Sequence, residues 1–157
     1  MEELKLIQTV NREEKYQSLV PQIKALIRDE KDLIANLANI TAALKAALEF
    51  FWVGFYLVKE DELVLGPFQG PVACTRIAKG QGVCGQVWEH EKVLIVPDVD
   101  QFPGHIACSI ASRSEIVIPL FKDGKVIGVL DIDSDKLNDF SAVDERYLKE
   151  ILSFLKP

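Results

Sequence analysis

The fold is most clearly indicated by residues 103–133, whose sequence is PGHIACSIASRSEIVIPLFKDGKVIGVLDID. It contains two runs rich in β-branched residues, 116–121 and 126–132, which are separated by the turn sequence Lys-Asp-Gly-Lys. Asp-Gly between two such runs is a strong hairpin signal, because both residues adopt positive φ readily. We therefore predict an antiparallel hairpin centred on this turn.

Acidic residues flank the predicted hairpin at the end opposite its turn. Glu115 precedes the first strand, and Asp131 and Asp133 close the second. Hairpin pairing places the start of the first strand beside the end of the second, and residues two apart on a strand share a face. We predict that the three carboxyl groups meet, and that burial and repulsion raise the pKa of at least one of them. The alternative is a solvated strand face.

Composition indicates a single domain with a buried core. The chain has 157 residues, 48% of them hydrophobic, and a formal net charge of -6 at pH 7. The negative charge argues against nucleic acid or an anionic membrane surface as the main partner. No apolar run approaches the roughly 20 residues of a membrane-spanning helix, and the first residues lack a signal-peptide pattern. We therefore expect one domain over residues 1–157, no nucleic-acid or membrane partner, and a cytoplasmic location.

Helical periodicity appears at both ends of the chain. Residues 1–50 are expected to form a helical pair, in which Pro21 kinks the first helix or marks its start and Asp32 caps the second. A capping-box-like pattern predicts a C-terminal helix within 140–156. The N-terminal stripes predict the following buried residues: Tyr16, Leu19, Val20, Ile23, Leu26, Ile27, Leu33, Ile34, Leu37, Ile40, Leu44 and Leu48. Such a pair can pack on a sheet face and on a partner subunit.

The central segment, residues 51–134, is expected to hold the sheet and the loops of a candidate site. Runs 51–58 and 63–69 predict a second hairpin, and Trp52 and Tyr56 share one face of its first strand if that strand is regular. The alternative role for this aromatic pair is ordinary core packing. A long irregular stretch before the acidic hairpin is typical of a binding loop.

Three cysteines occur in Gly-rich or loop-like segments, Cys74 and Cys84 within GPVACTRIAKGQGVCGQ and Cys108 before the acidic hairpin. Their odd number and the lack of a close C-x-x-C pair argue against a structural disulfide framework, so we expect thiols that start out reduced. The alternative for each cysteine alone is a small buried hydrophobe. His105 is expected to face water rather than tune a thiol or bind a metal ion, and His90 has no assigned role.

The motifs WVGFYL, GPFQGPVAC, GVCG, FPGHIAC, SEIVIP and GVLDIDS extend over most of the chain. Together they resemble the free methionine-(R)-sulfoxide reductases, which are enzymes built on a GAF domain. The resemblance implies an α+β fold with a central antiparallel sheet flanked by N-terminal and C-terminal helices, and commonly a homodimer. It also implies reduction of the R epimer of free methionine sulfoxide, with no bound cofactor and with thioredoxin, recycled by thioredoxin reductase and NADPH, as the external reductant.

The same resemblance assigns roles to the cysteines. Cys108 in GHIAC is implied to be the attacking thiol, and Cys84 in GVCG and Cys74 in PVAC are candidate resolving cysteines. Attack on the sulfoxide leaves Cys108 as a sulfenic acid, and a second thiol condenses with it to a disulfide that an external dithiol reduces. Which of Cys84 and Cys74 resolves first stays open.

Five further residues are implied to bind substrate, with Glu115, Asp131 and Asp133 as polar groups and Trp52 and Tyr56 as walls around the S-methyl end. Carboxylates suit this ligand, because only the free amino acid presents an unblocked α-ammonium. One carboxyl is expected to keep its proton and hydrogen-bond the sulfoxide oxygen. The substrate carboxylate is expected to meet backbone N–H groups.

Ser109 departs from the family pattern, in which an acidic residue follows the attacking cysteine. The lost negative charge favours the thiolate while the lost acceptor loosens the loop, so the sign of the effect on the thiol pKa stays open. Two functions from other classes also stay open: a GAF module that binds a small ligand without catalysis, and a thiol-based oxidant sensor. The cysteine set argues against the first, and dependence on substrate separates the enzyme from the second.

Overall fold

The computed structural model describes residues 3–157 as a six-stranded antiparallel sheet with helices on both faces. The strand order is β3-β2-β1-β6-β5-β4. The elements, in chain order, are α1 (Arg12–Ile27), α2 (Leu33–Leu48), β1 (Trp52–Lys59), β2 (Glu62–Gln69), β3 (Arg76–Ala78), α3 (Gly82–His90), β4 (Leu94–Val96), a 3-10 turn (Val99–Gln101), β5 (Ser114–Lys122), β6 (Lys125–Ser134) and α4 (Ala142–Ser153). The predicted α+β arrangement is confirmed.

The hairpin of β5 and β6 forms around the predicted Asp-Gly turn. Asp123 and Gly124 have φ of 51° and 75°, as the two central residues of a type I′ turn require. The register pairs Glu115 with Asp133 and continues to Ser114 opposite Ser134. Both strands are therefore longer than the apolar runs that predict them, and they include all of the flanking acids.

Alternation along the strands divides the apolar residues between the two faces of the sheet. Trp52 and Tyr56 of β1 belong to the cluster beneath α3, whereas Val53 and Phe55 belong to the cluster that α1, α2 and α4 cover. The face that α1, α2 and α4 cover also carries these strand residues: Ile116, Ile118, Leu120, Leu130 and Ile132. Full burial of such a side chain contributes about 1.5–3 kcal/mol, so this face is the main hydrophobic core.

The N-terminal helices form as predicted, with differences at individual positions. Pro21 lies inside α1 rather than at its start, and the Asp32 side chain caps α2 by accepting the Ala35 N–H at 2.9 Å. Leu26 and Ile34 were predicted to be buried but are 37% and 49% exposed. The predicted stripes are wider than the surfaces that the neighbouring helices and the sheet cover. No helix within residues 3–157 is long and apolar enough to span a membrane.

The C-terminal helix α4 covers a shorter range than the expected 140–156. A polar network joins α4 to α1. The buried Tyr16 hydroxyl donates to Asp144 Oδ1 at 2.7 Å, and Arg12 lies 2.8 Å from Asp139 Oδ1 and 3.4 Å from Asp144 Oδ2. Asp139 also accepts from the hydroxyl of Ser134, the last residue of β6. The network therefore ties both helices to the end of the hairpin that carries the acids.

Candidate active site

A cavity that opens to solvent lies on the α3 side of the sheet, and the space between its walls is about 580 Å³ when the open mouth is included. The cavity is lined by seven of the eight residues that the motifs single out: Trp52, Tyr56, Cys84, Cys108, Glu115, Asp131 and Asp133. The eighth, Cys74, follows the lining residue Ala73 and is bonded to Cys108. One cavity therefore brings the predicted set together.

The acids form a cluster whose members come from the two strands of one hairpin. Glu115 and Asp131 are only 5% and 7% exposed, so the alternative of a solvated strand face is wrong. Burial, reinforced by Asp133, raises the pKa of Glu115 to about 8. Burial and a neighbouring carboxylate likewise raise the pKa values of Asp131 and Asp133 well above the usual range. At neutral pH the cluster therefore retains at least one proton.

The cysteines occupy two different environments. Cys74 and Cys108 form a disulfide with a Cα–Cα distance of 5.4 Å, although 34 positions separate them in the chain. This pair is one of the two pairings that the sequence resemblance implies for Cys108, and that the thiols start out reduced stays a prediction. Cys84 is a free, buried thiol on α3, and burial followed by the charges of Asp131 and Glu115 raises its pKa well above the usual value. Cys84 is consequently a poor nucleophile in this environment.

Trp52 and Tyr56 hold the segment that carries Cys74 as well as lining the cavity. Trp52 Nε1 donates to the carbonyl oxygen of Pro71 at 3.0 Å, and the Tyr56 hydroxyl donates to the carbonyl oxygen of Cys74 at 2.9 Å. Burial raises the pKa of Tyr56, so its hydroxyl keeps the donated proton. Gly54, between the two aromatic residues, allows this arrangement, because a Cβ there would lie 2.3 Å from the Trp52 ring.

Comparison with known proteins finds relatives that match this chain over most of its length. The GAF domain model matches residues 28–155. The chain is 65% identical over 146 residues to GAF domain-containing protein A of Dictyostelium discoideum, with 92% of each chain covered. It is 45% identical to the free methionine-R-sulfoxide reductase of Escherichia coli, covering 94% of this chain and 90% of that one.

A solved structure is similar over almost its full length. The free methionine-R-sulfoxide reductase of Neisseria meningitidis, solved in complex with its substrate, superposes with a TM-score of 0.95 at 52% identity, covering 98% of this chain and 93% of that one. The chain belongs to the free methionine-R-sulfoxide reductase family. The GAF-like fold that the sequence motifs predict is thereby confirmed.

Within this reductase fold, His105 takes a position that its loop location did not suggest. Its side chain is 14% exposed, lines the cavity and places Nε2 at 3.6 Å from Glu115 Oε2. Burial lowers the pKa of His105 against the opposing charge of Asp100, so the ring is mainly neutral at pH 7. The prediction of a water-facing histidine is wrong, because the loop folds back over the cavity. His90, by contrast, is exposed at the end of α3.

Ser112 is a second lining residue that the sequence did not single out. It is 7% exposed, and its hydroxyl donates to Asp133 Oδ1. This hydrogen bond lowers the pKa of Asp133 against the larger effect of burial. A serine in a loop gives no sequence signal for such a role, because the contact crosses 21 positions of the chain.

Ser109, the departure from the reductase pattern, also lines the cavity. Its hydroxyl accepts the backbone N–H of Ala111 at 3.2 Å, which closes a local turn after Cys108. Serine therefore supplies a loop hydrogen bond of its own without adding negative charge beside the cysteine.

Proposed function

We propose that this chain reduces free L-methionine-(R)-sulfoxide to methionine, with Cys108 as the nucleophile. The observation that carries the proposal is the position of the Cys74–Cys108 pair beside a cavity that also contains the acid cluster. A redox-active thiol pair, a proton source and a small-molecule cavity are the parts that thiol-dependent sulfoxide reduction needs. The names of the similar proteins support the same activity.

Substrate recognition is assigned to two chemically different sets of residues that line the cavity. The carboxyl cluster offers oxygens to the α-ammonium of the free amino acid, a group that methionine within a polypeptide lacks. Trp52 and Tyr56, with ring centroids 6.0 Å apart, offer apolar surface to the S-methyl end. This division favours the free amino acid over peptide-bound methionine sulfoxide.

The first chemical step is attack of the Cys108 thiolate on the sulfoxide sulfur. A protonated carboxyl of the cluster donates its proton to the sulfoxide oxygen, and the raised pKa of Glu115 supports this role. Methionine leaves with two more electrons on its sulfur than the sulfoxide had. Cys108 keeps the oxygen and is oxidised to the sulfenic acid.

The second step forms the disulfide and releases water. We assign Cys74 as the resolving thiol, because it lies within bonding distance of Cys108 while the buried Cys84 has a raised pKa. An external dithiol then reduces the bridge by two thiol–disulfide exchanges. Thioredoxin is the donor that we propose, and a cytoplasmic location suits this reducing cycle.

A homodimer is also proposed, with the N-terminal helices as its contact surface. Supporting this are apolar side chains on that part of the chain which remain exposed in the single subunit: Leu6, Ile7, Val10, Leu26 and Ile34. Burying these side chains against a second copy removes apolar area from water.

The test is methionine formation from the separated R and S epimers of free methionine sulfoxide, with thioredoxin recycling. We expect turnover of the R epimer alone, loss of turnover in Cys108→Ser, and unchanged turnover in the surface control His90→Ala. Without a reductant, the wild-type protein should form one methionine per subunit and a Cys74–Cys108 peptide detectable by mass spectrometry. If neither epimer is turned over by the folded, reduced protein, the proposed reaction is wrong.

A further inference from the structure

Three potential metal ligands converge on the buried side of the cavity. The Sγ of Cys84 and carboxylate oxygens of Glu115 and Asp131 all lie within 4.8 Å of one another, and all three residues are buried. They come from α3, β5 and β6, so their spacing in the sequence resembles no metal-binding motif. A thiolate with two carboxylates is a mixed donor set that accommodates Zn²⁺.

Asp131 provides a second, independent observation that points to a bound ligand. Its Oδ1 atom is buried and has no hydrogen-bond partner among residues 3–157, and the whole residue is only 7% exposed. A buried carboxylate oxygen without a donor costs free energy, so such atoms usually contact a water or a cation. Asp131 lines the cavity together with Cys84 and Glu115.

We propose that Cys84, Glu115 and Asp131 form a binding site for a borderline-soft divalent cation such as Zn²⁺, and that the cation competes with the amino-acid substrate. The sulfur ligand distinguishes this site from one that recognises only an ammonium group. Carboxylates alone are enough to bind an ammonium group, and a thiolate adds nothing to that binding. Binding of a dication displaces the protons that the Cys84 thiol and the carboxyl groups otherwise retain, and it offsets the repulsion between the anionic groups that result.

The geometry requires only local adjustment. Tetrahedral Zn²⁺ with Zn–S near 2.3 Å and Zn–O near 2.1 Å separates its ligand atoms by about 3.4–3.6 Å. The three groups lie within 4.8 Å of one another, so small side-chain rotations complete the coordination. Water from the cavity fills the fourth position. The cation then occupies the position that the proposed function assigns to the α-ammonium group of the substrate. Coordination of its sulfur also protects Cys84 from oxidation.

The oxidised protein provides a clean test, because Cys84 is the remaining thiol once Cys74 and Cys108 are bonded. Untagged oxidised protein is titrated with Co²⁺, whose thiolate-to-metal charge-transfer absorption reports sulfur ligation, and Zn²⁺ then displaces the Co²⁺. We expect one ion per subunit and a charge-transfer band in the wild type. The band should disappear in Cys84→Ser, and Asp131→Asn and Glu115→Gln should weaken Zn²⁺ binding about 10-fold or more.

The matched control is His90→Ala, which removes an exposed histidine far along α3 and should leave metal binding unchanged. Circular dichroism of each variant checks that the fold is retained. The proposal is overturned if the oxidised wild type gives no thiolate band, if Cys84→Ser keeps the band, or if both carboxylate variants bind Zn²⁺ as tightly as the wild type. Because binding is measured without turnover, a failure of the reductase assignment leaves this result interpretable.

Substrate competition tests the second half of the inference. Free methionine-(R)-sulfoxide added to the Co²⁺-loaded protein should lower the charge-transfer band, whereas its N-acetyl derivative, which lacks the α-ammonium, should leave the band nearly unchanged at the same concentration. If the charge-transfer band persists at a saturating concentration of the R epimer, the cation and the substrate do not compete for the site.

Discussion

The Tyr56 hydroxyl donates a hydrogen bond to the carbonyl oxygen of Cys74 across 2.9 Å, which ties the aromatic wall of the cavity to a half of the disulfide. The contact joins the middle of β1 to a loop 18 positions later in the chain. Tyr56 therefore has two roles: its ring shapes the cavity, and its hydroxyl restrains the loop that brings Cys74 to Cys108.

Tyr56→Phe keeps the ring and removes the restraint. Loss of one such hydrogen bond costs about 1 kcal/mol, which corresponds to roughly a 5-fold change in a rate or equilibrium constant. We expect a slowing of disulfide formation of that order after the sulfenic acid has formed, with little change in the yield of the first methionine. Rapid-quench trapping of free thiols measures the second step. An unchanged rate would show that the loop is held by other contacts, and Tyr147→Phe serves as a distant control.

Gly54→Ala should displace the Trp52 ring, because the added Cβ would lie 2.3 Å from Trp52 Cη2 and 2.6 Å from Phe68 Cβ. Overpacking of this kind costs about 1–3 kcal/mol of unfolding free energy. We also expect a higher KM for the sulfoxide, since the wall of the cavity moves. In a Trp88→Phe background, fluorescence reports Trp52 alone, and an unshifted emission maximum would contradict the displacement.

The acid cluster should make the folded protein less stable as the pH rises. The pKa of Glu115 is about 8 in the fold against an ordinary value of 4.5, so the native state binds more protons than the unfolded state between these values. The contribution of Glu115 to the free energy of unfolding is then greatest below about pH 4.5. It falls as the pH rises to about 8, by at most roughly 5 kcal/mol. Urea unfolding of metal-free protein across this window measures the slope.

Glu115→Gln should reduce the slope of that pH dependence, because an amide does not titrate, whereas Asp131 and Asp133 keep raised pKa values of their own. Glu150→Gln, an exposed change on α4, is the matched control and should keep the wild-type slope. A Glu115→Gln profile that parallels the wild type from pH 5 to pH 8 would show that another group causes the loss.

The carboxyl cluster should be needed for turnover, with separable contributions from its members. We expect Glu115→Gln and Asp133→Asn each to lower kcat/KM by about 10²-fold or more, since each removes a proton donor or a partner of the α-ammonium. Ser112→Ala should have a smaller effect, because it removes only the hydroxyl that donates to Asp133. Wild-type turnover in both carboxyl variants at every pH would contradict the assigned roles.

Tyr16→Phe should destabilise the junction of α1 and α4. The change leaves the buried Asp144 Oδ1 without its 2.7 Å donor, which costs about 1–3 kcal/mol. Tyr147→Phe is the matched comparison, because its hydroxyl donates to the more exposed Glu13 at 3.0 Å and its loss should cost less. Equal unfolding free energies for the two variants would show that Arg12 and the Ser141 N–H are sufficient partners for Asp144.

Local sequence patterns determined much of this fold. The Asp-Gly turn, the alternation of apolar residues in the strands and the caps at Asp32 and Ser141 each act over a few residues, through backbone angles and hydrogen bonds to near neighbours. The convergence of the acids also followed from the sequence, because hairpin pairing fixes which residues face each other. Family motifs identified the cysteines and aromatic residues that surround one cavity.

Only the tertiary structure decided the contacts between separate segments. Cys108 pairs with Cys74 while Cys84 lies with the acids, and His105 turns inward to Glu115. Each of these contacts joins residues on different elements, so it depends on how α3 and the long loop pack against the sheet. Periodicity and turn chemistry specify the elements, but packing of side chains across the whole domain sets the distances between them.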